Sequence, residues 1–255
     1  MTSAKTGVSI FFPCYNDKQS IAKLINYANQ IIKKFTTKYE IIVIDDGSTD
    51  GSRDLLKKLS KKISKLNLIF HDRNMGYGAA LISGFKAASY EWIFYTDGDG
   101  QYDISELSIM LSLISKDVDF INGIKMTRND PTYRIVAGNL YSFFTRWLFW
   151  MPILDIDCDF RLIRKKIIRK IDLKCSSGAI CIELVKKAQI AGATFRQVSV
   201  HHLERRFGIS QFFRIERILK TLAEISFLWV RLVLIRKILQ LGLNKNYNPS
   251  KSEKK

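Results

Sequence analysis

The sequence predicts an α/β domain built on a mainly parallel sheet flanked by helices, with amphipathic helices following at its C-terminal end. Two observations predict it. Short apolar runs alternate with amphipathic stretches long enough for crossover helices, the pattern of strands joined in parallel. Acidic and Gly-rich motifs fall where apolar runs end, and parallel sheets collect ligands beyond the carboxyl ends of their strands. The 255 residues, 47% hydrophobic and 25% charged, suffice for a sizeable core.

Val8–Phe12, apolar and aromatic but for Ser9, reads as a strand ending at Pro13, which lacks a backbone donor. Ser20 to Lys34 carries Ile21, Leu24, Ile25 and Ile31 at helical spacing. Ile41–Ile44 reads as a second buried strand running into Asp45-Asp46-Gly47-Ser48-Thr49-Asp50. A helix over Ser52–Ser64 and a strand over Leu66–Phe70 follow. Asn74-Met75-Gly76-Tyr77-Gly78 then opens a helix through Ala88. Trp92–Tyr95 is the next strand, ending in Asp97-Gly98-Asp99-Gly100-Gln101. Further on, Phe120–Ile124 and Ala193–Val200 read as strands. Ile135–Phe149 reads as a helix with an aromatic end, Phe143, Phe144, Trp147, Phe149 and then Trp150. Such an aromatic run serves a packed core or a lipid interface.

From Phe212 to Gln240 helical periodicity continues, but the apolar seam drifts, which predicts a bend or two helices broken near Ser226. These boundaries give a catalytic domain at 1–211, amphipathic membrane-surface or oligomerisation helices at 212–243, and a basic tail at 244–255 whose composition predicts disorder.

The balance of 41 Lys+Arg against 24 Asp+Glu gives +17, which calls for an anionic partner. Helix-turn-helix, zinc-finger and RNP patterns are absent, so nucleic acid is not expected. The alternative is an anionic membrane surface. No apolar stretch reaches the ~18 residues of a spanning helix. The nearest candidate, Ile225–Leu243, is interrupted by Arg231, Arg236 and Lys237. No apolar run precedes Gly7 as in a signal peptide, and the four cysteines form no CxxC pair. The expectation is a peripheral protein at the cytoplasmic membrane face, with reduced thiols.

Asp97 and Asp99 place carboxylates two positions apart beyond a strand, with glycines allowing a tight bend. Mg²⁺ and Mn²⁺ are commonly held by one or two carboxylates together with substrate phosphates. His201 and His202 invite a metal reading too, but adjacent strand residues point to opposite faces.

Taken together, Phe12-Pro13-Cys14-Tyr15-Asn16, Ile44–Asp50, Arg73–Gly78 and Asp97–Gln101 occur in the order that inverting family-2 glycosyltransferases of the GT-A fold display. Over about residues 6 to 215 the chain most resembles the polyprenyl-phosphate group that includes dolichyl-phosphate mannose and glucose synthases. The resemblance implies transfer of a sugar from a nucleotide sugar, with UDP the most frequent base, to a polyprenyl phosphate. It implies Pro13, Tyr15 and Asp17 around base and ribose, with Asp45, Asp46 and Ser48 accepting from the nucleoside. It also implies Asp97, Asp99 and Gln101 on a Mg²⁺ or Mn²⁺ ion at the donor diphosphate, Asp99 counting among the catalytic residues. Gly76 and Gly78 either approach phosphate through helix N-terminal N–H groups or form a tight connection.

Asp155, Phe160 and Arg161 match a further family element by spacing, while Asp159 stands where a small residue is usual. Asp155 and Asp157 are the catalytic candidates there, and which of Asp155, Asp157 and Asp159 faces the reacting carbon stays open. Arg134, Arg146 and Arg205 are the cations implied for the acceptor phosphate. Arg205-x-x-Gly208-x-Ser210 matches the family's mobile loop. A transferase acting on a glycan hydroxyl, and a homo-oligomer built through the C-terminal helices, remain open alternatives.

Overall fold

A computed structural model of the chain describes residues 6–128, 132–204 and 215–238. β1 (Val8–Cys14) is buried along its whole length, and its side chains divide by parity. Ile10 and Phe12 enter one apolar cluster, Phe11 the other. The same alternation splits Ile41 and Val43 from Ile42 and Ile44 on β2 (Tyr39–Asp45), and Phe94 from Ile93 and Tyr95 on β4 (Trp92–Thr96). Continuous apolar strands are therefore those of a sheet covered on both faces.

The sheet has seven strands in the order β3-β2-β1-β4-β6-β5-β7, with β3 at Leu66–Phe70, β5 at Phe120–Arg128, β6 at Phe160–Arg164 and β7 at Phe195–His202. β6 runs against both of its neighbours, and the other pairings are parallel. From β1 the order extends one way to β2 and β3, then returns to β4 on the opposite side. The β1/β4 junction is thus a switch point, where a crevice opens beyond the strand ends.

Helices α1 (Ile21–Phe35), α2 (Ser52–Ser60) and α4 (Leu107–Ser112) cover one face through Leu24, Ile25, Leu56, Leu107 and Met110. The other face takes α3 (Tyr77–Ala87), α5 (Thr132–Phe149), α6 (Lys165–Ile168), α7 (Ile180–Ile190) and α8 (Ile215–Trp229), through residues such as Leu81, Phe149, Ile167, Leu184 and Leu228.

The C-terminal segment differs from expectation. α8 passes Ser226 as regular helix, and the irregularity comes at Val230–Leu234, a π-helical stretch, before helix resumes over 235–238. Ser226 Oγ donates to the Leu222 carbonyl at 3.0 Å, a back-bond that a helix interior tolerates, so serine does not break it. The π turn resets the drifting seam and returns Val233 to the core. Strand β6, the short helices α4 and α6, and α7 were not legible from periodicity. No helix among the described residues is long and apolar enough to cross a membrane.

Candidate active site

Two loops meet at the switch point. Gly98 follows β4, and a Cβ there would stand 2.5 Å from the Pro13 carbonyl oxygen, so only glycine lets the loops cross. Ser20 Oγ fixes the crossing by donating to the Gly98 carbonyl at 2.7 Å. Tyr15 donates its N–H to Asp17 Oδ2 at 3.1 Å, folding the Pro13–Asp17 turn on itself. Asn16, left-handed at φ 59°, joins the β1 and β2 loops reciprocally. Its N–H donates to Ser48 Oγ at 2.9 Å, and its side-chain oxygen accepts from the Thr49 N–H at 2.8 Å.

The paired aspartates after β2 do different things. Asp45 is fully buried; its Oδ1 accepts from Arg53 Nε at 2.6 Å and from the Ser48 N–H at 3.2 Å. Its Oδ2 has no hydrogen-bond partner among the described residues. Asp46 is occupied on both oxygens: Oδ1 by the Met75 N–H at 2.9 Å and His71 Nδ1 at 2.7 Å, Oδ2 by the Gly76 N–H at 2.9 Å. It therefore ties the β3–α3 loop to β2.

Gly76 and Gly78 lie against the backbone of residues 175–176. A Cβ on Gly76 would meet the Ser176 oxygen at 2.5 Å, and one on Gly78 the Cys175 oxygen at 2.1 Å. The Gly78 N–H donates to the Ser176 carbonyl at 3.0 Å. Both glycine amides are thus engaged within the protein, which is the tight-connection arrangement. This connection aims Tyr77 at the crevice, where its hydroxyl donates to Asp97 Oδ1 at 2.7 Å. Tyr77 carries no sequence signal beyond its place between two glycines.

Asp97 is partly exposed. Burial first, then the carboxylates of Asp159 and Asp99, push its pKa well above the usual range, with the Tyr77 hydrogen bond opposing them. An accumulation of carboxylates at a crevice suits a cation. Among the described residues no three His, Cys, Asp or Glu side chains are grouped to hold a metal alone. An ion held by Asp97 and Asp99 would complete its shell with diphosphate oxygens and water, which fits Mg²⁺ or Mn²⁺. Asp99 Oδ1 accepts from the Gln101 N–H at 3.0 Å. Gln101 is bound in turn to the end of β7: its carbonyl accepts from the Leu203 N–H at 2.6 Å, and its side-chain amide donates to the Leu203 carbonyl at 3.3 Å.

Across β4, β6 and β5, Tyr95, Arg161 and Asn122 occupy one register row. Arg161 is fully buried and donates Nε to Asn122 Oδ1 at 2.8 Å, Nη1 to the Tyr95 hydroxyl at 2.6 Å and Nη2 to the Ile156 carbonyl. Asp159 completes this network, 3.1 Å from Arg161 Nη1, accepting from the Tyr95 hydroxyl at 3.2 Å and from Cys181 Sγ at 3.2 Å. A carboxylate where a small residue is usual is thus compensated by the neighbouring guanidinium.

Asp155, buried, accepts from the Lys125 N–H at 3.1 Å and lies 3.8 Å from the Lys125 ammonium, which itself donates to the Asp157 carbonyl at 2.8 Å. Lys125 thus organises the Asp155–Asp157 segment, a role that no motif announced. The paired histidines separate as expected. His201 is exposed and faces Glu106, with Nδ1 at 2.6 Å, whereas His202 is buried edge-on to Tyr102. The acceptor-side cations are less fully described: Arg134 lies on α5, its side chain outside the described residues, and Arg205, Gly208 and Ser210 fall outside them altogether.

The architecture is similar to that of glucosyl-3-phosphoglycerate synthase from Mycobacterium tuberculosis, solved with Mn²⁺, UDP and glucosyl-3-phosphoglycerate. The TM-score is 0.62 at 16% identity, over 91% of this chain and 80% of that one. The same enzyme with Mg²⁺ and UDP gives a TM-score of 0.62 at 16% identity, over 91% and 79% of the two chains. At that identity the likeness establishes the GT-A fold. In sequence, undecaprenyl-phosphate 4-deoxy-4-formamido-L-arabinose transferases of Yersinia enterocolitica and Yersinia pestis are each 29% identical over 206 residues, 80% of this chain. The match spans 62% of the length of those relatives. Residues 9–172 match the glycosyl transferase family 2. They take in the switch-point crevice, both aspartate motifs and the Arg161 network, and the chain belongs to that family.

Proposed function

We propose that this chain carries the catalytic domain of an inverting, metal-dependent glycosyltransferase that moves a sugar from a nucleotide sugar, a UDP-sugar, to a polyprenyl phosphate. The observation that carries this reading is the Asp97–Asp99 loop at the β1/β4 switch point, with Asp97 held by Tyr77 and its pKa raised by burial first and then by the neighbouring carboxylates. Undecaprenyl phosphate in the names of the Yersinia relatives supports the acceptor class. UDP with Mn²⁺ or Mg²⁺ in the structural neighbours supports the donor and the cofactor.

Asp97 and Asp99 would hold the ion, with Gln101 supporting their loop, and a bound Mg²⁺ or Mn²⁺ would supply positive charge at the diphosphate. Pro13, Tyr15 and Asp17 border the nucleoside. Of the aspartate pair, Asp45 retains an unengaged acceptor oxygen and Asp46 does not, so the nucleoside falls to Asp45. A phosphate oxygen of the lipid attacks the anomeric carbon from the side opposite the diphosphate. The bond from that carbon to the diphosphate oxygen breaks, and the nucleoside diphosphate leaves with the electron pair. The acceptor is already an anion, so no general base is required. Asp155, compensated by Lys125, then shapes the acceptor side, while Arg134, Arg146 and Arg205 supply cations to orient the lipid phosphate.

Peripheral attachment to an anionic membrane follows from the same reading. α5 exposes Leu140, Phe143, Phe144 and Trp147 at helical spacing, and α8 exposes Ile215, Leu219, Leu222 and Phe227. Apolar stripes on a chain of net charge +17 are what an anionic interface binds.

The test is sugar transfer from labelled nucleotide sugars to undecaprenyl phosphate, with Mn²⁺ or Mg²⁺. A labelled lipid whose formation stops with EDTA and falls at least about a hundredfold in Asp99→Ala is expected, the size of one lost transition-state contact. Full activity of Asp99→Ala in EDTA would sink the metal assignment. Transfer only to glycan hydroxyls would overturn the acceptor.

A further inference from the structure

The C-terminal end of α7, the turn after α5 and the end of the C-terminal helix border an open cavity of about 430 Å³. Its lining contains the cations Lys186, Arg236 and Lys237 and no acidic residue. Lys186 is only 9% exposed, and its ammonium donates to Gln189 Oε1 at 2.9 Å, a neutral acceptor, with no carboxylate paired to it among the described residues. Burial and the charge of Arg236 both hold the Lys186 pKa below its ordinary value. Lys186 is buried whereas Arg236 and Lys237 are exposed, and three like charges with no acidic residue in the lining favour an anion that accepts from all of them.

The walls are apolar. Leu232 and Val233 line the cavity, and Trp150 stands at its edge, 62% exposed. Trp150 is left-handed at φ 47°, and its carbonyl accepts from Gln189 Nε2 at 3.0 Å. One glutamine therefore holds both the buried ammonium and the turn that projects the tryptophan. Next along the helix, Ile235 and Ile238 are exposed. A buried ammonium with two exposed cations beside it, apolar walls and an exposed indole match the headgroup region of a bilayer.

The cavity is separate from the reaction centre. Cys181, near the start of α7, contacts the Asp159 network, whereas Gln189 and Ile190 line the cavity. At 1.5 Å rise per residue the two are about 12 Å apart along the helix.

We propose that this cavity binds the phosphate headgroup of an anionic membrane lipid, outside the crevice that carries the chemistry. The assignment rests on the reading of this chain as a membrane-surface protein, and the experiment separates the two. Partition of the full chain onto phosphatidylcholine vesicles, with and without phosphatidylglycerol, is compared with that of the double variant Lys186→Gln/Arg236→Gln. The control is Lys58→Gln/Lys61→Gln, two exposed lysines at α2 on the other face of the sheet. At about 1 kcal/mol per cation near an anionic surface, the cavity variant should partition about thirtyfold more weakly onto phosphatidylglycerol vesicles, and the control no more than about threefold.

Calorimetry with monomeric dihexanoyl-phosphatidylglycerol should show binding that the cavity variant loses and that inorganic phosphate does not reproduce. Thermal unfolding of the variant should match that of the parent. Equal losses in the cavity variant and the control, or no loss in either while the parent still binds vesicles, would overturn the cavity alone. Inorganic phosphate binding as tightly as the short lipid would replace the lipid with free phosphate. A parent chain indifferent to both vesicle types would overturn the cavity's ligand together with the membrane reading.

Discussion

At the scale of single residues, the site works through side chains that hold other side chains. Tyr77 donates to Asp97 at 2.7 Å, and this hydrogen bond favours the ionised carboxylate that a metal requires. Tyr77→Phe keeps the ring and removes only the donor. Mn²⁺ affinity in the presence of UDP, read by electron paramagnetic resonance, should fall about tenfold, the low end for a hydrogen bond to a charged group. An unchanged affinity would leave Tyr77 as packing only. Arg161 makes a second case. Arg161→Ala strands Asp159 in a buried site, and urea unfolding should show a loss of about 3–5 kcal/mol. Adding Asp159→Gly should recover part of that loss, because the orphaned charge leaves with it; additive losses would contradict the pairing. The place of Asp97 and Asp99 beyond β4 was legible in the sequence because they directly follow an apolar run; alone their spacing suits a surface turn as well as a cation, and only the other strand-end motifs favour the cation. Tyr77, Lys125 and Asn122 were not legible, since their roles depend on which strands become neighbours.

At the scale of elements, the first four strands were readable because each is an apolar run, unbroken at Trp92–Tyr95 of β4 and at Ile41–Ile44 of β2 and interrupted only by Ser9 in β1 and Asn67 in β3. β6 was hidden because its sequence, FRLIR, buries an arginine whose partners come from β4 and β5. No local pattern announces a charge that tertiary contacts will satisfy. The connection into α3 shows a related limit. Glu224 on α8 accepts from the N–H and hydroxyl groups of Ser176 and Ser177, with Ser177 Oγ at 2.6 Å, and this fixes the strand of backbone on which Gly76 and Gly78 rest. Gly78 has no positive φ, yet a Cβ would come 2.1 Å from the Cys175 oxygen, while Gly192, at φ +81°, has nothing within 4 Å of one. Gly78→Ala should therefore cost about 1–3 kcal/mol or more, as overpacking does, and Gly192→Ala only about 1 kcal/mol for its backbone. Chemical denaturation of the two variants decides it, and the reverse ranking would mean that the 175–176 segment yields easily.

At the scale of the whole molecule, the question is what covers the apolar surface that α5 and α8 leave open. The helices pack on each other's inner sides, where Trp229 donates to the Leu148 carbonyl at 3.2 Å and Leu228 is buried. Their outer sides retain Phe143 at 63% and Trp147 at 69% exposure, too much apolar area to leave in water without a function. A lipid surface and a second copy of the chain compete for it, and the charge favours lipid: +17 repels another copy and attracts an anionic bilayer. Phe143→Ser/Trp147→Ser removes apolar area that the fold does not use, so the unfolding midpoint should stay unchanged. Partition onto phosphatidylglycerol vesicles should fall at least tenfold, since each side chain contributes about 1.5 kcal/mol or more when it enters the interface. Transfer to a short-chain, water-soluble polyprenyl phosphate should keep its rate, because neither side chain is among the residues of the crevice. If sedimentation instead shows a dimer that the double substitution dissociates, with vesicle binding intact, the surface belongs to a second copy, and the attachment to lipid must be sought along the basic edge of the C-terminal helix.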